Sequence, residues 1–550
     1  MITEQLAELV RVAIRSAADE DLIDAVPEPE FERPRKREHG DWATNVALVA
    51  GQGRGNPRKI AEAIVERLPE SDLVAKVDVA GPGFLNFHLT PAWLHDVVRS
   101  AADPTSDFGR SVVGSDLKVN VEYISANPTG PMNVVNGRHA AVGDAISNLL
   151  EATGHSVTRE YYINDVGRQM TLFARSIEAH YLSHFGRATP VPDDGYQGDY
   201  IRALAERIAG DVGDRLVDDP AEERLARLRE LGLQHMLASI QASLERFGTS
   251  FGVWFSEATL HTSGDVSAAI EKAKAGGYIE EREGAVWLRS SELGDDKDRV
   301  VIKANGETTY LASDMPYLAD KAKRGFDRMI YLWGADHHGT VARLMAAAEI
   351  LGVGRDRVEV LLVQMVNIIE GGEKMRASKR AGVLIPLDEL IDEVGVDAAR
   401  YTFLTRSIDQ RLDFDIELVK EQAPENPVYY VQYAHARICS ILRKGAEEDV
   451  SADPSSAKLD VLEHPSEVDL MRKLASFEEE VIEAALRRAP QRIPRFVEAL
   501  ASAFSAFYRD CKVISEDREL TQARLSLCLA TKSVLAQGLG LVGVTAPERM

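Results

Sequence analysis

The chain has 550 residues, 45% apolar and 27% charged, with 64 Lys and Arg against 87 Asp and Glu, a formal net charge of −23. These values exclude a disordered or fibrous chain and set a prior of about three or four domains. The acidic balance excludes an indiscriminate nucleic-acid binder while leaving room for local basic patches.

Three scattered cysteines, Cys439, Cys511 and Cys528, have no CxxC spacing. They argue against a disulfide scaffold or zinc cluster and fit a reducing compartment. No apolar run reaches about 18 residues, and the first 18 residues lack an export-type apolar stretch. A cytoplasmic protein with no membrane association is expected.

In chain order, residues 1–18 read as a helix, with Leu6, Leu9, Val10, Ala13 and Ile14 at helical spacing. The basic run Arg33-Pro34-Arg35-Lys36-Arg37 follows. Gly40-Asp41-Trp42-Ala43-Thr44-Asn45 then opens an Ala-rich stretch expected to be helical. Val77 to Leu89 predicts two short strands about a Pro-Gly turn, so residues 1–105 make a small α+β module.

From Leu117 the pattern changes. Lys118 to Ile124 predicts a buried strand, Asn127 to Pro131 a Pro/Gly loop, and Gly137 to Thr153 a helix. Strand, glycine loop and helix in that order open an α/β nucleotide-binding unit. Further strands of the same sheet are expected at Arg299–Lys303, Arg328–Trp333 and Val358–Val363, with a helix from His338 to Leu351. The interval 170–290 reads as a mostly helical insertion between the halves of that sheet, with a surface loop at Pro190–Tyr200. Residues 106–388 thus form a Rossmann-type α/β domain. Residues 389–550 read as almost entirely amphipathic helix, broken by the polar linker Glu447–Lys458.

Two constellations carry chemistry. The first runs from Glu122 through Asn127-Pro128-Thr129-Gly130-Pro131-Met132-Asn133-Val134-Val135-Asn136-Gly137-Arg138. It joins a strand's C-terminal end to a helix N-terminus, where unpaired N–H groups and the helix dipole favour phosphate. A structural turn is the plain alternative. The second is Met375-Arg376-Ala377-Ser378-Lys379-Arg380-Ala381-Gly382, beyond a Gly371-Gly372 turn. Its cations suit charge that develops on a transferred phosphoryl group; a solvated basic loop is the alternative. The pair His337-His338 is not read as a metal site, because adjacent residues point to different faces. His139 is expected on the surface of its helix.

Together the two segments resemble the paired signatures of class I aminoacyl-tRNA synthetases. Ser125 to Arg138 resembles the first signature as arginyl-tRNA synthetases carry it, and Ala377-Ser378-Lys379-Arg380 resembles the second. Gly40–Asn45, Gly81–Phe87, Glu160–Gly167, Gly334–Gly339, Gln364–Asn367, Asp397–Tyr401, Asn426–Arg437 and Thr545–Met550 are similar to further segments of that family, so the likeness spans nearly the whole chain.

The resemblance implies an N-terminal tRNA-contacting module at 1–105, a catalytic domain at 106–388 and a helical anticodon-binding domain at 389–550. It also implies ATP-dependent arginine activation and transfer of the arginyl group to the 3′-terminal ribose of tRNA(Arg). ATP would arrive with Mg²⁺, without a protein-held metal, and the chain would be a monomer. The catalytic set implied is Asn133, Asn136, Ser378, Lys379 and Arg380. ATP would meet Pro128, Thr129, Gly130, Pro131, Met132, Val135, Gly137, Gln364 and Met365. Arginine, a cation with a planar fork of donors, suits Glu122, Asn127, Tyr310, Asp314, Asp336 and His337. Arg35, Lys36, Arg37, Tyr429, Tyr433, Arg437 and Tyr508 would meet tRNA, by phosphate neutralisation and base stacking; Arg487, Arg488, Arg492 and Arg495 form a further basic candidate.

The first signature departs from the family. Asn133 and Asn136 stand where histidine, or histidine and glycine, are usual, and Val135 stands where a glycine lets adenine lie on the backbone. Asn133 can donate a hydrogen bond but carries no charge. Two alternatives to a working ligase follow: a paralogue that binds tRNA or arginine without adenylation, and an enzyme that activates arginine for another acceptor.

Overall fold

The computed structural model describes residues 2–23, 26–34, 36–51, 56–307, 309–374 and 385–550, and only the backbone of Arg37, Tyr310, Leu311 and Ala312. By internal contacts the chain divides into two compact units, one of residues 1–108, 437–478 and 502–534, the other of 109–436, 479–501 and 535–550. No helix among the described residues is long and apolar enough to cross a membrane.

In the first unit, the helix Ile2–Asp19 buries Leu6, Val10, Ala13, Ile14 and Ala17, the stripe its 3.6-residue period dictates. That stripe shares a core with Trp42, Ile60, Leu85 and Phe87. The expected strand pair exists as Val74–Ala80 against Phe84–Leu89. Trp42–Thr44, expected to open a helix, instead adds a third antiparallel strand beside Phe84–Leu89. Its three side chains are all buried, and the helix starts only at Val46. The helix Ala92–Ala102 packs against Pro465–Ala475 of the same unit.

The second unit is built on a five-stranded parallel sheet. Its strand order is Val358–Val363, Arg328–Gly334, Lys118–Glu122, Ser156–Ile163, Val253–Ser256. Counted along the chain this is 5-4-1-2-3, the doubly wound order, with its switch point between Lys118–Glu122 and Arg328–Gly334. Ligands enter such sheets at that crevice, beyond the carboxyl ends of the strands.

Two expectations are not met. Arg299–Ile302 is not in this sheet; it closes a separate antiparallel sheet with Ile279–Arg282 and Ala285–Leu288. The interval 170–290 is not one insertion. The helices Arg168–His184, Asp199–Val212 and Ala221–Arg246 fill its first part, and the chain then returns to the main sheet as Val253–Ser256. The region after Pro386 is almost all helix as expected, with one short strand, Leu412–Asp415, that pairs in parallel with Val366–Glu370. The latter turns back through Gly371 and Gly372, both at positive φ, to pair with Glu373–Lys374. A two-residue hairpin of that hand requires two such residues, which is why glycines stand there.

Candidate active site

The first signature follows the strand Lys118–Glu122, and its backbone is strained at once. Ile124 has φ +68° and Ser125 +42°, values a β-branched residue rarely adopts. Local bonds hold the turn. The Ser125 hydroxyl donates to Glu122 Oε1 at 3.2 Å and accepts from the Tyr162 N–H at 3.1 Å. The Tyr161 hydroxyl donates to the Ala126 carbonyl at 2.9 Å, and Tyr200 does the same to Thr129. Asn127 donates to Gln169 Oε1 at 2.6 Å. Pro128, Thr129 and Met132 are buried, while Pro131 is exposed.

The helix begins at Val134, earlier than expected, because Asn133 caps it. Asn133 Oδ1 accepts from Val135 N at 3.0 Å and Asn136 N at 3.1 Å, and Asn136 Oδ1 accepts from Asn133 N at 3.1 Å. This is a reciprocal capping box. Val134 N donates to the Ile385 carbonyl and Gly137 N to that of Asn133. The first four helical N–H groups are therefore all engaged, which corrects the picture of free backbone donors awaiting phosphate. What the turn still offers an anion is the helix dipole and the two Asn side-chain NH₂ groups.

Gly137 and Arg138 fix the other side of the helix. A Cβ at Gly137 would lie 2.7 Å from Leu387 Cδ1 and 3.2 Å from Phe403 Cε2, so any side chain there must displace one or both. Arg138 is fully buried and donates to the carbonyls of Gln364, Met365, Ser407 and Gln410. Burial pulls its guanidinium down to about 10, with Asp409 opposing. It remains charged at neutral pH. His139 is buried rather than on the surface, and burial beside Arg138 pushes it down to about 4, so it is neutral.

At the switch point a cavity of about 480 Å³ opens, with Glu122, Asn127, Asp314 and His337 of the expected arginine set on its wall. Asp336 is exposed and does not line it; it lies 3.9 Å from His337. Tyr310 opens the helix Tyr310–Lys323, one turn before Asp314, and its side chain lies outside the described residues.

Tyr162, Tyr317, Tyr331 and Trp333 give the cavity an aromatic lining that sequence reasoning did not single out. It also missed two buried charges. Lys321 Nζ sits 2.6 Å from Glu122 Oε2, 3.9 Å from the centre of the Tyr331 ring and 4.4 Å from that of Tyr317. Burial lowers the Lys321 ammonium from its ordinary value, against the pull of Glu122. Glu257, 3% exposed, acts on Asp314 from behind. Burial, then repulsion from Glu257 and Glu122, raises the Asp314 carboxyl to about 7, with Arg343 opposing. Three acids, Glu122, Asp314 and Glu257, face two cations, Lys321 and the cavity-lining Arg343, an excess of one carboxyl that favours a cationic ligand.

Ser378, Lys379 and Arg380 lie outside the described residues, as does Arg35 and the side chain of Arg37. Lys36 is exposed and pairs with Glu38 at 3.3 Å. Tyr429 and Tyr433 stack with ring centres 6.1 Å apart, Tyr433 being 41% exposed. Tyr429 shares a second cavity, about 600 Å³, with Asp397, Gln432 and Met550. The Arg437 guanidinium lies 5.1 Å from the Tyr508 ring centre. In the other basic candidate, Arg487 pairs with Glu483, Arg488 with Glu359 and Arg492 with Glu480, and the exposed Arg495 acts on the Glu498 carboxyl.

Three family models match the chain: the arginyl tRNA synthetase N terminal domain over residues 4–89, the catalytic domain of class I (R) tRNA synthetases over 107–407, and the DALR anticodon binding domain over 431–550. A Moorella thermoacetica protein named arginine--tRNA ligase is 46% identical over 542 residues, 98% of this chain and 97% of its own. A solved arginyl-tRNA synthetase structure from Campylobacter jejuni has 33% identity and a TM-score of 0.76, covering 84% of this chain and all of that one. The Thermus thermophilus arginyl-tRNA synthetase, 23% identical, shares the fold at a TM-score of 0.76 over the full length of both. With the doubly wound sheet, the acid-lined cavity and a match from end to end, this chain belongs to the arginyl-tRNA synthetase family of class I aminoacyl-tRNA synthetases.

Proposed function

We propose that this arginine--tRNA ligase makes its adenylate at the tips of Lys118–Glu122 and Arg328–Gly334, with the guanidinium of the substrate in the cavity beside Asp314. The observation that carries the reading is the cavity of about 480 Å³ at the strand tips, with the carboxyls of Glu122 and the half-buried Asp314 both on its wall. The paralogue and other-acceptor alternatives find no support in the full-length relatives, which are named arginine--tRNA ligase.

In the first step a carboxylate oxygen of arginine attacks the α-phosphorus of ATP, the bond to the β-phosphate oxygen breaks, and pyrophosphate leaves. In the second, a hydroxyl of the 3′-terminal ribose of tRNA(Arg) attacks the carbonyl carbon of arginyl-adenylate, loses its proton, and AMP leaves. Asp314 and Glu122 supply opposite charge to the amino acid, Asn127 and His337 supply polar contacts at the cavity wall, and Tyr310 is assigned to the same pocket. The side-chain NH₂ groups of Asn133 and Asn136 face the phosphates, joined by Ser378, Lys379 and Arg380.

Adenine lies along Val135 toward Gln364 and Met365, and Mg²⁺ accompanies the triphosphate as part of the substrate. Residues 1–105, 106–388 and 389–550 divide tRNA contact, catalysis and anticodon binding. Lys36 with Arg35 and Arg37, and Tyr429, Tyr433, Arg437 and Tyr508, contact tRNA. The enzyme works as a monomer.

ATP–pyrophosphate exchange with arginine and tRNA present, followed by charging of tRNA(Arg), tests the assignment. Asp314→Asn raises KM for arginine while KM for ATP stays put. An unchanged KM for arginine would remove Asp314 from the pocket.

A further inference from the structure

Arg138 is a cation with no solvent exposure. It forms no ion pair among the described residues; its partners are four backbone carbonyls, and its Nε has none. A guanidinium held this way carries a large desolvation cost that a well-packed apolar side chain would avoid. Stability alone does not account for it. What it joins does.

Nη1 donates to the carbonyls of Gln364 at 2.7 Å and Met365 at 3.4 Å, where the chain leaves the sheet strand Val358–Val363 for Val366–Glu370. Nη2 donates to those of Ser407 at 3.1 Å and Gln410 at 3.0 Å, just before the strand Leu412–Asp415. Those two strands pair in parallel, Val366 opposite Leu412. One planar fork thus ties the entry points of two paired strands of this small sheet to the second turn of the helix that Asn133 caps. Beside it, Gly137 leaves no slack against Leu387 and Phe403.

We propose that Arg138 is a positioning residue for adenylation: it sets the distance between the Asn133–Asn136 cap and the backbone of Gln364–Met365, and so the width of the slot that receives ATP. This rests on the reading of Gln364 and Met365 as part of the nucleotide site. The planar fork is needed because two separate segments must be held in register; an ammonium has three donors, but on a single nitrogen without the fork's fixed span.

The test is steady-state pyrophosphate exchange by the full chain with tRNA present, for Arg138→Met, Arg138→Gln and Arg138→Lys, with thermal melts to establish folding. A misplacement of an ångström in such a slot costs about 100-fold, so kcat/KM for ATP falls by about that factor in Arg138→Met and less in Arg138→Lys, with KM for arginine within about twofold. Val135→Phe, at the proposed adenine face, serves as control. If it raises KM for ATP while the Arg138 variants do not, the positioning role is overturned and the nucleotide site stands. If Val135→Phe also changes nothing, the nucleotide site reading fails. Equal losses for ATP and arginine, or failure of all three Arg138 variants to fold, would make Arg138 a structural plug and overturn the proposal.

Discussion

Lys321 Nζ lies 2.6 Å from Glu122 Oε2, with the lysine side chain wholly buried and the glutamate 7% exposed. Lysine is strongly hydrated, so burying it needs both the carboxylate and the two tyrosine faces beneath it. Removing one partner of a buried pair strands the other. Lys321→Met is expected to cost about 3–5 kcal/mol, measured by chemical denaturation. The double variant Lys321→Met with Glu122→Gln should recover much of that loss. Additive losses would show that the two charges are compensated separately.

With Asp314 in the proposed arginine pocket, arginine binding is expected to be pH-dependent. The Asp314 carboxyl, raised from an ordinary 3.8 to about 7, is protonated in a sizeable part of the free protein at neutral pH. A cation beside it favours the ionised form, so binding arginine releases a proton and affinity rises as pH climbs through 7. Isothermal titration in buffers of different ionisation enthalpy counts that proton, and Asp314→Asn should abolish both the proton release and the pH slope. The stability sign is opposite. Between about 4 and 7 the folded state holds a proton the unfolded chain has lost, so this residue's contribution falls as pH rises across that window. Asp314→Asn is expected to melt higher than the parent at pH 8 and not at pH 4.

The Asn133 cap separates folding from chemistry. Its side-chain oxygen serves the helix and its NH₂ group is what remains for phosphate. Asn133→Ala should lose about 1 kcal/mol with the cap, together with exchange activity. Asn133→Asp keeps the acceptor, so stability is retained, but it replaces a donor with a negative charge facing the triphosphate. Exchange should then fall in a protein that melts normally. If Asn133→Asp exchanges as well as the parent, Asn133 is a cap alone.

Much of the architecture was legible. Arg328–Gly334 and Val358–Val363 are continuous apolar runs or nearly so, as strands buried on both faces must be, while Lys118–Glu122 shows itself by the alternation of Val119 and Val121 with polar residues. Ser156–Ile163 was not, because Thr158-Arg159-Glu160 interrupts the pattern. Those side chains are polar for a reason the sequence hides: Arg159 pairs with Glu151, and Glu160 is held by Asn120, Tyr317 and Arg324. Arg299–Ile302 was legible as a strand but not as to its sheet, since four residues carry no information about their partner.

The candidate site divides the same way. The signature residues announce themselves by spacing, whereas Lys321 and Glu257 look like any surface charge until the fold buries them. The cap could have been read, because Asn133 and Asn136 stand three apart at a helix start.

Gly137 supplies a steric test. A methyl group there would press on Leu387 Cδ1 at 2.7 Å and on the Phe403 ring at 3.2 Å. Both neighbours are fully buried and cannot swing into solvent. Overpacking of this kind costs about 1–3 kcal/mol, so Gly137→Ala is expected to lower the melting temperature by several degrees. It should also push the helix away from Ile385–Leu387, a segment bonded to the signature turn through Val134 N to the Ile385 carbonyl and Leu387 N to the Met132 carbonyl. Exchange activity should therefore drop more than stability alone explains at temperatures where the variant is fully folded. Adding Leu387→Ala makes room for the methyl group, and the pair is expected to regain activity relative to Gly137→Ala even though Leu387→Ala by itself leaves a cavity. If the second substitution only deepens the defect, contact with Leu387 is not what demands glycine.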